Sequence, residues 1–105
     1  MPTEIYLYQY ESSTIKIVIR VFFNEENHLI FEGSDFGKKK GGADYEYSYK
    51  IKPSQVNNLA RVLKVKDPHS ENLLVTIRDR FEGKDAYCQF GAFMDEHEIE
   101  FTKFN

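Results

Sequence analysis

Three histidines, one cysteine and several spaced carboxylates are the residues with which this chain would do chemistry. Zinc binding or acid–base catalysis needs two or more side chains converging on one point. His28, His69 and His97 instead fall at a strand start, in a proline-containing loop and at a helix end. Glu96-His97-Glu98 is too sparse for more than a weakly held surface ion. No Gly-x-Ser-x-Gly elbow occurs, and Cys88, between Tyr87 and Phe90, reads as a small buried hydrophobe rather than a nucleophile. Asp44 and Glu46 lie two apart on one strand face, a spacing that a paired-acid site would use. With Tyr47 and His69 they form the alternative reading, a small hydrolase or nucleotide-handling enzyme. The nearby Lys50 and the exposed setting favour a solvated face there. Asp35-Phe36-Gly37 spells the kinase metal-binding tripeptide, but the nucleotide loop and catalytic loop that must accompany it are missing. Gly37–Gly42 lacks the Gly-Lys-Ser/Thr ending of a phosphate-binding loop. The sequence therefore assigns no catalytic residue, no cofactor and no metal ligand.

Recognition is the chemistry that the remaining residues suit. Tyr6, Tyr8 and Tyr10 alternate along one segment, and Tyr45, Tyr47 and Tyr49 along another. Period-2 spacing places each trio on one strand face. Phenols tolerate half-burial, so such faces suit the outer side of a sheet partly covered by helices. They also suit a contact surface, because tyrosine supplies a large area at little entropic cost. Self-pairing of this tyrosine face into a homo-oligomer is a further expectation.

The charges are unevenly placed. The chain has 105 residues, 41% of them hydrophobic and 30% charged, with a net charge of −3. That length makes one domain, residues 1–105. The acidic balance argues against direct nucleic-acid binding. No apolar run suits a membrane span, and the N-terminus lacks the features of a secretory signal. A single cysteine suits a reducing compartment, so a cytoplasmic location is expected. Residues 1–94 carry thirteen acids and thirteen bases, and the deficit lies in Asp95, Glu96, Glu98 and Glu100, offset only by Lys103. The basic cluster is Lys38-Lys39-Lys40, within a glycine-rich stretch.

The elements that must hold these residues follow from periodicity. Ile5–Tyr10 alternates, and Ile15, Ile17, Ile19, Val21 and Phe23 form the apolar side of a β-branched strand. After the turn Asn24–Asn27, a shorter strand runs over His28–Gly33, Ser34–Asp44 reads as a mobile loop, and Asp44–Ile51 alternates again. Short connections imply an antiparallel meander. Val56, Leu59, Ala60 and Leu63 then follow helical spacing, with Pro53 in the first turn and Ser54 able to cap. Leu73, Leu74, Ile77 and Phe81 predict a second helix from about Ser70, stopped by Gly83. Tyr87, Phe90, Phe93 and Met94 predict a third, despite Gly91, and Ile99 and Phe101 a closing strand. The fold class is α+β: an antiparallel four- to five-stranded sheet, an N-terminal meander, packed by two or three C-terminal helices.

Five segments carry a family likeness: Asp35–Gly37 as a turn, Asp44–Tyr47 opening a strand, and the Pro-led helix Pro53–Leu63. The other two are the Leu-Leu helix Leu73–Phe81, ending in Arg-Phe, and the terminal strand Ile99–Phe101. Over residues 29–104 the chain resembles the small immunity proteins that bacteria encode beside polymorphic or contact-dependent growth-inhibition toxins. Lys38–Lys40 is a departure from that pattern. The resemblance implies a non-enzymatic, cytoplasmic antitoxin that binds and neutralises a cognate toxin C-terminal domain. The acidic balance suits a basic nuclease as that toxin, bound by a monomer in a 1:1 complex. Charge places the contact at Asp95, Glu96, Glu98 and Glu100, with Tyr45, Tyr47, Lys38, Lys39 and Lys40 as second-choice contacts.

Overall fold

A computed structural model describes residues 3–38 and 44–105. Five strands, β1 (Glu4–Glu11), β2 (Ile15–Phe23), β3 (Leu29–Gly37), β4 (Asp44–Ile51) and β5 (Thr102–Phe104), form one antiparallel sheet in the order β1-β2-β3-β4-β5. Three helices, α1 (Pro53–Val62), α2 (Glu71–Phe81) and α3 (Ala86–Glu96), follow β4 and pack on one face of the sheet. The fold is α+β, with strands and helices segregated along the chain. None of the described helices is long and apolar enough to cross a membrane.

Register sorts the side chains. Ile5, Val21, Phe31 and Tyr49 lie side by side across four strands, and all are buried on the helix-facing side. Their neighbours Glu4, Phe22, Ile30 and Lys50 form the outer face. There Arg20 bridges Glu4 and Glu32, and its guanidinium lies 4.8 Å from the Phe22 ring. Tyr6 donates to Glu4 at 2.6 Å, which holds the Glu4 carboxyl below its ordinary range.

A bulge in β1 corrects the expectation that Tyr6, Tyr8 and Tyr10 share a face. Tyr6 opposes Arg20 and Tyr8 opposes Ile19, so Leu7 is an extra residue without a partner. One inserted residue shifts the alternation by one. Tyr8 and Tyr10 therefore stand on the helix-facing side, their rings 6.5 Å apart and parallel, while Tyr6 stays outside. Leu7 itself is buried, and its carbonyl accepts from Gly83 N–H at 2.9 Å, which seats the turn between α2 and α3 on the bulge.

Two boundaries also differ from expectation. Ser34–Gly37 is strand rather than loop, because β2 offers a partner at every step, as far as Ile15 opposite Gly37. Pairing overrides the local turn signal. Asp35-Phe36-Gly37 is thus strand backbone, not a turn; Lys39–Ala43 lies outside the described residues. The closing strand starts at Thr102, not Ile99. At α1, Lys52 occupies the cap position and Ser54 lies inside the helix, because Pro53 takes the first helical place.

The core joins sheet to helices through stacked rings. Phe31 stacks on Phe90 at 4.3 Å, Tyr49 stacks on Tyr87 at 4.1 Å, and Phe81 meets Phe90 edge-on at 5.3 Å. Two glycines make room. The Tyr47 ring lies across Gly33, where an added Cβ would sit 2.1 Å from Tyr47 Cε2, and Tyr49 Oη lies where a Gly91 Cβ would be, at 2.3 Å. Gly91 costs α3 about 1 kcal/mol of helix propensity relative to alanine, and the close approach of Tyr49 explains its presence.

Candidate functional site

The acidic residues gather at the C-terminal end of α3. His97 follows the helix, and Glu98 takes a left-handed backbone with φ 57°. Ile99 N–H then bonds Met94 O at 2.8 Å and Glu98 N–H bonds Asp95 O at 3.2 Å, the two bonds of a Schellman cap. Ile99 and Met94 are both buried, which supplies the apolar contact that accompanies such a cap. Ile99 is therefore a capping residue rather than part of a strand. α1 ends the same way, with Lys64 at φ 61° and Val65 N–H on Ala60 O at 2.8 Å.

The reversal at Glu98 builds a cleft of about 570 Å³. Asp95, Glu98 and Glu100 line it together with Lys50 and Lys52, and Met94 and Phe101 are also in its wall. Glu100 N–H donates to Gln55 Oε1 at 3.2 Å, which ties this rim to α1. Glu96 is exposed at the last position of α3 but does not line the cleft. All four acids are exposed.

Their position is electrostatically unfavourable in the isolated chain. A helix C-terminus carries partial negative charge, so a cation there contributes ~0.3–1 kcal/mol and an anion opposes the dipole. The last turn of α3 has no basic residue, and Asp95 and Glu96 stand in it. Among the described residues none of the four acids forms an ion pair, and the cations nearest to them in the cleft wall are Lys50 and Lys52.

The second-choice contacts lie elsewhere. Tyr45 is 63% exposed, five residues along β4 from Lys50, a separation of about 17 Å at strand rise. Lys38 forms an ion pair with Glu11, and its N–H bonds Thr14 O at 2.9 Å, closing the far end of the sheet. Lys39 and Lys40 lie outside the described residues. Tyr47 stands between the two places and is half-buried. It donates to Asp35 Oδ1 at 3.0 Å and meets Tyr87 edge-on at 4.5 Å. Burial and then the bond to Asp35 push its phenol up to about 12. The predicted contacts are thus two separate regions, an acid rim and an open sheet end.

Tyr45, Tyr47 and Tyr49 do share a face, but it is the helix-facing one, and its lower end is core: Tyr49 is only 5% exposed. Tyr87 Oη is buried with no hydrogen-bond partner among the described residues, and burial drives that phenol well above its ordinary range.

The alternative polar-aromatic site is not assembled. Alternation along β4 puts Asp44 and Glu46 on the outer face, opposite to Tyr47. His69 sits in the turn before α2 with its ring 5.6 Å from Phe23, at the other end of the sheet. Among the described residues no group of three or more histidines, cysteines or carboxylates converges to hold a metal ion. Cys88 is exposed, which corrects its expected burial. Helical spacing carries the signal: Cys88 is two residues from the buried Phe90, and positions two apart do not share a helix face. A cleft of about 310 Å³ lined by Asp35, Tyr47, Lys84, Tyr87, Cys88 and Lys103 went unforeseen, because β5 brings Lys103 opposite Tyr49.

No protein-family model, curated protein or solved structure matches the chain.

Proposed function

We propose that this chain is an immunity protein that neutralises an antibacterial toxin domain by tight association, its acid rim facing a basic surface of that domain. The observation that carries this reading is the gathering of Asp95, Glu96, Glu98 and Glu100, all exposed, at the end of α3, with Asp95 and Glu96 opposing the dipole in a last turn that has no basic residue. Acids that oppose the helix dipole cost the free protein, and a cationic partner relieves that cost. The family likeness over residues 29–104 supports the same role. A basic nuclease is the toxin class that the charge fits.

Rim charges act mainly on encounter, whereas truncating one partner of a desolvated pair costs ~2–5 kcal/mol. Co-purification with the product of the adjacent gene identifies the partner. Association rates at two ionic strengths, for wild type and Glu98→Lys/Glu100→Lys, then test the rim. The double reversal should associate more slowly, with the difference greatest at low salt, where screening is weakest. Equal rates at both ionic strengths would remove the rim from the interface, and a neighbouring gene without a toxin domain, with no protection of toxin-expressing cells, would remove the function.

A further inference from the structure

We propose that the outer face of the sheet binds a second copy of this chain, sheet against sheet, about a two-fold axis that runs along the strands between β2 and β3. The three helices pack on the other face, so none of them covers this one. Register sets the outer side chains in rows across β1, β2, β3 and β4. One row is Glu4, Phe22, Ile30 and Lys50, and the next is Tyr6, Arg20, Glu32 and Ser48. Phe22 and Ile30 are only partly buried, and Tyr6 is 42% exposed.

Each of these rows is complementary to its own reverse. The first reads acid, apolar, apolar, base, and the second hydroxyl, base, acid, hydroxyl. A two-fold axis along the strands lays a row on its reverse, because β1 then faces β4 of the second copy and β2 faces its β3. Glu4 meets Lys50 of the second copy, Phe22 meets its Ile30, Tyr6 its Ser48 and Arg20 its Glu32, and every contact occurs twice. Arg20 already bridges Glu32 within the chain, so the two bridges stack as a square of alternating charges. Burial in such an interface leaves neither charge unpaired, which is the condition for covering it without a large penalty.

Charge also selects this axis over the alternative. An axis across the strands would set Glu4 against Glu11 and Phe22 against Lys16, and would leave Arg20 facing Val18. Like charges opposed in this way are unfavourable. Along the chosen axis the one conflict is Glu11 against Asp44, at a corner of the sheet, where Glu11 is held by Lys38. The matched surface spans about 19 Å across four strands and about 23 Å along Lys16–Phe22. Over both copies that is roughly 900 Å², near the lower end for a specific interface. The dimer is therefore weak and forms at high concentration. It goes beyond the toxin-binding reading and does not involve the acid rim.

The test is sedimentation velocity of the full chain from micromolar to millimolar concentration. Mass should rise reversibly from monomer to dimer and stop there, because a two-fold contact closes on itself. Mixtures of ¹³C-labelled and unlabelled chain should show intermolecular Overhauser cross-peaks between the Phe22 ring and the Ile30 methyls, a readout that needs no variant. Glu4→Lys and Lys50→Glu should each weaken the dimer roughly two- to thirtyfold, since the exposed pair occurs twice, and the two changes together should restore it. Ile30→Glu, checked for folding by circular dichroism, should abolish it, and Glu98→Lys/Glu100→Lys should leave it unchanged. A monomer at millimolar concentration would overturn the proposal. So would intermolecular cross-peaks on the helix side, or a dimer indifferent to Ile30→Glu. Cross-peaks that place other parts of the same chain on Phe22 and Ile30 in the dilute monomer would mean that the chain covers its own face, and would equally overturn it.

Discussion

Replacing Gly33 with alanine separates local propensity from packing, because the two give opposite signs. Glycine in a strand interior is ordinarily worse than alanine by ~0.5–1 kcal/mol, since it loses more freedom on folding. On that ground the change should stabilise. The fold reverses the expectation: a Cβ on Gly33 would lie 2.1 Å from Cε2, 2.4 Å from Cζ and 2.7 Å from Oη of Tyr47. These atoms belong to the body of the ring, so the whole side chain must swing away from β3. It then gives up its bond to Asp35, 3.0 Å long, worth ~0.5–1.5 kcal/mol net. It also gives up the edge contact with Tyr87, centroids 4.5 Å apart, worth a further ~0.5–1.5 kcal/mol. After the propensity gain, a net loss of about 0–2.5 kcal/mol remains, centred near 1 kcal/mol, and each kcal/mol lowers Tm by about 4–8 °C in a domain near this size. Urea and thermal unfolding of Gly33→Ala, Tyr47→Ala and the double variant measure it. In the Tyr47→Ala background the obstruction is gone, and Gly33→Ala should stabilise by ~0.5–1 kcal/mol. The phenol supplies a second readout: displaced from its buried position, Tyr47 should titrate nearer 10 than about 12. Stabilisation by Gly33→Ala alone, or an equal effect in both backgrounds, would refute the packing argument.

Two further outcomes are expected. Glu98 holds φ 57° in the cap of α3; relief of the left-handed penalty, ~1–2 kcal/mol, less the added freedom of unfolded glycine, ~0.4–1 kcal/mol, makes Glu98→Gly stabilising by ~0.5–1 kcal/mol. Chemical denaturation checks this, and a loss of stability would show that the Glu98 side chain holds the cap. The phenols of Tyr47, Tyr49 and Tyr87 are all raised, chiefly by burial. A raised folded pKa means that the fold prefers the neutral form, so this stability is full below 10 and drains as pH rises from 10 through about 12. Denaturation at stepped alkaline pH should show the decline, shallower in Tyr47→Phe; identical slopes would exclude Tyr47 from it.

Much of the architecture was legible before any coordinates. Ile15, Ile17, Ile19, Val21 and Phe23 announce β2, and Val56, Leu59 and Ala60 announce the buried stripe of α1. The acid rim was legible as a composition shift, although nothing in its spacing foretold that Glu98 would turn the chain back. Gly91 is the opposite case. Propensity marks it as a flaw in α3, and only the position of Tyr49 Oη supplies its reason.

The sequence by itself determined the order of four strands and then three helices, though not their bounds, because periods of 2 and 3.6 are local properties that neighbouring residues supply together. It likewise determined that negative charge concentrates in residues 95–100. The tertiary structure decided which tyrosines share a face, since one extra residue at Leu7 reverses the alternation after it. It decided that Ser34–Gly37 extends β3 and that Asp44 and Glu46 stand opposite to Tyr47. These outcomes depend on what lies across the sheet or above it, and a residue's own neighbours in sequence carry no record of that.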